Sequence, residues 1–430
     1  MKKKLSIILI WTLVSLLLQF GAYKILDIKV QKVMAPLSVS STALPLVETE
    51  PPITQQLKTI IPGLDFENIQ ISYDKDYLAY KENGTFKIFN LKKERLVFEK
   101  RLPTANDKTL GVLTFQWLPD RDTLLYFYAK NNPNPISYVT VYPPTPVQAL
   151  PITSDLVPPK TEDPNQRGGI ETESPKEVPE VAPVKPWIEK RYGNPQITEL
   201  YSLELSKSDE DIVPDDRFNQ TIDLFPAGGK IEELVVSTTT NLIYLTVKNE
   251  SRELLIEIDV MKNVRTLNRS GETINNMAVS DRYGTLFMDS EVAGTQQVIA
   301  LSGGERKIIS KDTKDRILGI RNGKVYLGEI ENNQLVKIKT SEDRLDLTAN
   351  PYLKTEWTGS IPFYNVHTLI GAKGQIIISD QHQAYIVTDG QLSEVKLLGE
   401  KNYISSDGAE LIQLNQAGTS TEVKLQPLKI

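Results

Sequence analysis

The sequence predicts an all-β fold, a β-propeller of about six to eight irregular blades preceded by one N-terminal transmembrane helix. Three observations carry that expectation. Short β-branched and aromatic runs with period two are separated by turn pairs such as Asn-Gly, Asp-Gly and Gly-Gly. A strand-turn-strand unit recurs at steps near forty residues. A single long uncharged apolar run follows three lysines at the beginning of the chain.

Lys2, Lys3 and Lys4 precede residues 5–23, which carry no charge. At 1.5 Å per residue a helix of that length reaches about 28 Å, the thickness of a bilayer core. A cleaved signal peptide has a shorter apolar region ending at a small-residue site. Gln19-Phe20-Gly21-Ala22-Tyr23 does not match that pattern, so the segment reads as a retained signal-anchor. Basic residues favour the cytoplasmic side. Residues 1–4 are therefore read as cytoplasmic, 5–23 as the lipid-contacting anchor and 57–430 as an extracytoplasmic domain. Residues 24–56 read as a helix extension, stopped by Pro36, and a flexible spacer. No second apolar run of that length occurs, so a single pass through the plasma membrane is expected.

Beyond the spacer, strands are expected at TLLYFYAK (123–130), LIYLTVK (242–248) and QIIISD (375–380), and helical periodicity is not sustained. Copies of the repeating unit start at Ile69, Thr114, Glu233, Met277 and Ile317, with a degenerate copy near Tyr403. Aligning second strands places Tyr80, Tyr126, Tyr244, Phe287 and Tyr326 as equivalents, with steps of 46, 118, 43 and 39 residues. The long step is expected to hold an insertion together with a further blade.

That insertion is conspicuous. Residues 143–195 contain twelve of the 26 prolines and few apolar residues. Such a composition cannot offset its own ordering entropy, so a disordered loop between strands at one end of the β domain is expected. Trp187 and Tyr192, at its C-terminal edge, are the candidate binding residues.

The Ser72, Asp74, Leu78, Ala79, Tyr80 arrangement, followed by WLPDRDTLLYF at 117–127, resembles the TolB-like and dipeptidyl-peptidase IV N-terminal-like propellers. More narrowly it resembles single-pass, propeller-bearing membrane proteins of Gram-positive bacteria. The resemblance implies a scaffold. In the peptidases of that group an α/β-hydrolase domain follows the propeller, and 430 residues leave no room for one here, so peptidase activity is not expected.

The residue inventory narrows the chemistry further. With no cysteine, thiolate metal sites, cysteine nucleophiles and disulfides are excluded. The net charge of -6, with Lys and Arg spread along the chain, argues against nucleic acid. His367 and His382 lack zinc-site spacing. The G-x-S-x-G, Walker and G-x-G-x-x-G patterns are absent. Asp74 with Asp76 lacks the Gly and Glu of a calcium loop, and the pairs Asp120/Asp122 and Asp215/Asp216 read as solvated loop residues. Ser72 and Asp74 are expected to fix a turn, Trp117 to fill space between blades, and Gly303-Gly304 to form a hairpin turn. No catalytic, cofactor or metal residue is assigned.

The expected function is a non-enzymatic, membrane-anchored binding or scaffolding module at the cell envelope, meeting a protein, peptide or glycan on the propeller faces. Two alternatives stand beside it. One is a glycan-processing enzyme using carboxylates in the channel. The other is a sensor or regulatory subunit acting through its transmembrane helix.

Overall fold

The computed structural model describes residues 54–103, 110–142, 186–205, 213–250, 252–346, 348 and 350–428. These form seven four-stranded antiparallel sheets and one two-stranded ribbon. Blade one runs through Glu67–Ile71, Tyr77–Glu82, Thr85–Asn90 and Arg95–Lys100. Blade two uses Gly111–Trp117, Thr123–Asn131, Gln196–Glu204 and Asp215–Thr221. Blades three to six are simple meanders over 230–266, 272–310, 315–362 and 367–396. The first strands of blades one to six follow one another around the axis.

Blade seven takes only three strands from the C-terminal end, Lys401–Ile404, Glu410–Ala417 and Ser420–Pro427. Its fourth, outermost strand is Leu57–Pro62, paired antiparallel from Leu57↔Leu425 to Pro62↔Ser420. The two ends of the described chain thus share one sheet. Gln55 fastens the entry to this strand. Its backbone N–H donates to Glu410 Oε1 at 2.5 Å, and its amide donates to Asp74 O and Asp76 Oδ1 at 2.7 and 2.9 Å.

Alternation along each strand sends successive side chains to opposite faces, so every blade buries both faces against its neighbours. Seven apolar clusters result, one at each blade interface. Ile61, Leu78, Tyr80, Ile412 and Val423 fill the seam between blades seven and one. Ala79, Phe86, Phe115, Trp117 and Tyr126 fill the next interface, where Trp117 is the interblade filler expected from the sequence. Phe127, Leu245 and Ile256 continue between blades two and three.

Seven blades lie inside the expected range, but two details differ. The 118-residue step holds no extra blade, because the strand before the insertion, Thr123–Asn131, pairs directly with the strand after it, Gln196–Glu204. The blade missed in the repeat is the sixth, which contains QIIISD. The aromatic alignment also mixes two faces. Tyr80 and Tyr126 pack against the preceding blade, whereas Tyr244, Phe287 and Tyr326 pack against the following one. The turn bonds Ser72 N–H to Tyr77 O (2.9 Å) and Ser280 N–H to Thr285 O (2.8 Å) put Tyr80 level with Met288, not Phe287. With a period of two, a one-residue offset exchanges faces.

The loops between first and second strands form a belt. Ser72 Oγ accepts from Tyr77 N–H at 3.2 Å and so fixes its turn as expected, and Ser405 Oγ accepts from Glu410 N–H at 2.8 Å at the same place in blade seven. The same loops reach their neighbours. Asp74 N–H donates to Asp122 Oδ1 (2.9 Å), Ser280 Oγ to Asp343 Oδ2 (2.7 Å), Asn322 Nδ2 to Ala372 O (3.1 Å) and Ala372 N–H to Asp407 O (2.8 Å). Lys75, only 2% exposed, crosses the seam to pair with Asp407 at 2.8 Å.

Residues 1–53, on which the anchor, its cytoplasmic flank and most of the spacer were read, lie outside the described residues, as do residues 143–185. Among the described residues no helix is long and apolar enough to cross a membrane.

Ile61 is fully buried on the strand that closes the ring. Ile61→Ala is expected to cost about 2–5 kcal/mol, the range for a core aliphatic truncation, read as a lowered urea midpoint. An unchanged midpoint would show that closure by this strand does not hold the ring.

Candidate functional site

Blade two carries the largest departure from the repeat. Between its second and third strands the chain leaves the sheet as a two-stranded ribbon, Ile136–Val141 paired antiparallel with Trp187–Tyr192. Asn132 and Asn194 brace the base. Asn132 N–H donates to Pro195 O at 2.7 Å, Asn132 Nδ2 to Asn194 O at 2.8 Å, and Asn194 Nδ2 to Phe225 O at 2.6 Å.

The ribbon's register sets its faces, because residues directly opposite share one side. One face presents Ile136, Tyr138 and Thr140 with Ile188, Lys190 and Tyr192; the other presents Val139 and Val141 with Trp187, Glu189 and Arg191. Tyr138 is 68% exposed, Ile188 72%, Tyr192 76% and Trp187 49%. None belongs to an interblade cluster. Lys190 Nζ lies 4.8 Å from the Tyr192 ring centroid, and Arg191 Nη2 pairs with Glu189 at 3.1 Å.

The two residues singled out from sequence, Trp187 and Tyr192, are thus both on this projection but on opposite faces, across from Val141 and Ile136. They occupy a strand inside the interval read as a loop, 143–195. Pairing with ISYVTV orders WIEKRY despite the prolines on either side of it. The residues missed were Ile136, Tyr138 and Ile188. Their signal lay in ISYVTV, a six-residue run of β-formers before the proline-rich stretch, and in the aromatic and β-branched residues Trp187, Ile188 and Tyr192 after it.

The channel has a different character. Inner strands of propeller blades present an unpaired edge to the axis, and five of the seven contain a bulge, after Glu67, Val112, Ile231, Ile274 and Ile317. Side chains from neighbouring blades cap these edges. Gln70 donates to Phe115 O (2.9 Å) and accepts from Trp117 N–H (3.3 Å); Lys81 Nζ donates to Leu113 O (2.8 Å); Lys401 Nζ donates to Phe66 O (3.3 Å). Burial pulls the Lys81 ammonium down to about 8.

Carboxylates do the same work between blades three, four and five. Glu253 Oε1 accepts from Ile274 N–H and Asp289 Oδ1 from Ile317 N–H, both at 2.8 Å, while Asn276 Nδ2 donates to Asp289 Oδ2 at 2.7 Å. Burial pushes Asp289 up to about 7, although those two donors and Arg316 oppose it. Burial likewise raises Glu233 to about 7 against a backbone bond from Met277. A cavity of about 390 Å³ opens here, with Glu233, Asn276, Arg321, His367 and Ser406 in its wall. The channel therefore contains the polar groups the enzymatic alternative asks for, but Asp289 has both oxygens committed to the frame and Glu233 accepts from the neighbouring strand.

The remaining candidates resolve as structure, and two pairs differ from the solvated loops expected: Asp122 is buried, and Asp215 and Asp216 lie in the strand Asp215–Thr221. Asp312, Asp315 and Glu329 converge at metal-ligand distances, yet Lys339 Nζ sits among them, 2.9 Å from Asp315 and 2.8 Å from Glu329, and supplies the cation. Asp216 accepts from Tyr126 Oη at 2.5 Å and pairs with Lys100 at 3.1 Å, while Asp215 accepts from Arg217 Nε at 2.6 Å. Lys100 lies 4.7 Å from the Tyr201 ring centroid, within a group of tyrosines on blade two. Asp120 pairs with the adjacent Arg121, and Asp76 with Lys92. His367 heads the inner strand of blade six, whereas His382 lies in a turn where its N–H donates to Asp380.

No protein-family model matches this sequence, and no curated protein matches it. Solved propellers are similar in fold. The Cps50 (Swd1) β-propeller domain of Myceliophteria thermophila is 10% identical, with 88% of this chain and 99% of that one covered and a TM-score of 0.44. TolB from Acinetobacter baumannii is 9% identical over 86% of this chain and 80% of that one, with a TM-score of 0.36. A prolyl endopeptidase is 13% identical with a TM-score of 0.40, over 81% of this chain and 45% of that one. At such identities the likeness is one of fold.

Burial holds the Asp289 carboxyl well above its ordinary 3.8, at about 7, so the fold favours its protonated form. That stabilisation is complete below the unfolded value and is lost as pH rises through about 7. Asp289→Asn keeps a neutral side chain at every pH. It is expected to flatten the fall in melting temperature between about pH 4 and pH 7. Parallel melting curves for variant and wild type would contradict the assignment.

Proposed function

We propose that the protein is a membrane-anchored, extracytoplasmic binding and scaffolding module. The ribbon on blade two is its contact element, and a protein or peptide of the cell envelope is its partner. The observation that carries this reading is the exposure of Tyr138, Trp187, Ile188 and Tyr192 on a structure that contributes nothing to the propeller's core. Large apolar side chains grouped on one projection are what association surfaces offer, with aromatic residues as anchors. A two-stranded ribbon is marginal by itself, so docking would also stabilise it.

Catalysis is not part of the proposal, because the channel carboxylates cap strand edges between blades. The anchor rests on the uncharged run at 5–23 behind three lysines. The plasma membrane, with the propeller outside and lipid contacted through that run, follows as part of the same proposal. Glycan is the less favoured partner, since the ribbon's exposed groups are mainly apolar.

Crosslinking on intact cells tests the contact element. A captured protein is expected with wild type and is expected to fall at least about ten-fold with Tyr138→Ala/Trp187→Ala/Tyr192→Ala, as loss of aromatic anchors predicts. The triple variant should melt at the wild-type temperature, because all three side chains are exposed. Undiminished capture would remove the ribbon from the proposal. The anchor is tested separately: carbonate washing should leave the chain in the membrane fraction, and its appearance in the soluble fraction would overturn that part.

A further inference from the structure

The ribbon has two outer edges, and they are not alike. Gly193 N–H donates to Pro135 O at 2.7 Å, one step beyond the pair Ile136↔Tyr192. In an antiparallel ladder, opposed residues alternate between bonding one another and turning their N–H and C=O groups outward. The bonded pairs are therefore Ser137↔Arg191, Val139↔Glu189 and Val141↔Trp187. Ile136, Tyr138 and Thr140 point their backbone groups away from the ribbon on one edge; Ile188, Lys190 and Tyr192 do so on the other. Among the described residues no strand pairs with either edge.

Exposed edges are normally protected by charge, proline or a bulge. The second edge has Lys190 at the middle of its outward row. Ile136–Val141, sequence ISYVTV, has no charge, no proline, no glycine and no register shift. It is a β-prone row of open donors and acceptors.

From this asymmetry we propose that the Ile136–Val141 edge pairs with the same edge of a second copy of this chain, across a two-fold axis at Tyr138. A two-fold perpendicular to the sheet keeps each face on its own side, so outward residues meet outward residues. The register that uses all three places Tyr138 opposite the partner copy's Tyr138, with Ile136 and Thr140 opposite each other on both sides of the axis. Each of these pairs exchanges two hydrogen bonds. The side-chain pairs are aromatic with aromatic and β-branched with β-branched, which are favourable cross-strand combinations. The corresponding arrangement on the other edge would set Lys190 against Lys190, which is repulsive. Charge thus selects the edge, and the self-matched side chains of this register favour a second copy as its occupant. The contact is small beside a standard interface, so it is weak in dilute solution and gains from confinement to a shared surface.

The chain contains no cysteine, so a single introduced one reports its own neighbours. Full-length protein in detergent carrying Tyr138→Cys is expected to form a disulfide-linked dimer under mild oxidation. Yield should exceed that of Ile188→Cys, on the opposite edge with Lys190 kept, by at least about ten-fold, the distinction expected of a contact at the axis. Equal yields, or none at position 138, overturn the proposal. A second measurement covers a variant that folds poorly. In sedimentation of the full chain, Tyr138→Lys should lose the self-association seen in wild type, and an equimolar mixture with Tyr138→Glu should regain it. Wild type sedimenting as a monomer at every concentration, or no recovery in the mixture, rejects self-pairing while leaving the capture of another protein by the aromatic faces untouched.

Discussion

Closure of the ring by the strand Leu57–Pro62 is the constraint on which the rest of the structure depends. A blade buries both faces only if it has a neighbour on each side, and in an open row of seven sheets the first and last would each leave one face in water. Lending the chain's earliest described strand to its last blade gives Leu78 and Tyr80 of blade one their partners in Ile412 and Val423. It also brings Lys75 to Asp407, where an unpaired buried ammonium would be costly. Gln55, Asp74, Asp76 and Glu410 complete the joint with bonds that no single blade could make by itself.

Closure creates a second problem at the axis, where the innermost strands present free backbone edges. Gln70, Lys81, Glu253, Asp289 and Lys401 meet it by reaching from one blade to the inner strand of the next. This use of charged side chains as caps accounts for the perturbed titration of Asp289 without invoking turnover of a substrate: the group is buried because the edge it serves is buried. The ribbon on blade two stands outside both arrangements. It is braced at its base by Asn132 and Asn194, and among the described residues Tyr138, Trp187, Ile188 and Tyr192 along it are exposed and available for association.

Much of the fold was legible because its determinants are local. Period-two runs and Gly-containing turns mark strands directly, and Gly303-Gly304, with φ of 58° and 91°, forms the hairpin turn those residues favour. The parts that were not legible depend on pairing between distant residues. The bond from strand 123–131 to strand 196–204 spans the insertion, so the sequence step across it looked long enough for another blade. Tyr80 and Phe287 look alike in a repeat but face opposite ways, because register follows backbone bonds at the turn and not side-chain identity. The candidate site was half visible. Trp187 and Tyr192 stood out as aromatic residues in a polar stretch, while Tyr138 was hidden among ordinary strand formers and gained meaning only from its partner Lys190.

The position of the closing strand has a mechanical corollary. Leu57 follows Gln55 almost at once, so tension entering the propeller through the residues before it is borne by this seam ahead of any other joint. Yielding there would strip the outer rib from blade seven and expose Ile61 and its neighbours, leaving six blades with their internal ladders intact. The ring is in that sense closed like a clasp, fastened on the side from which its own chain arrives.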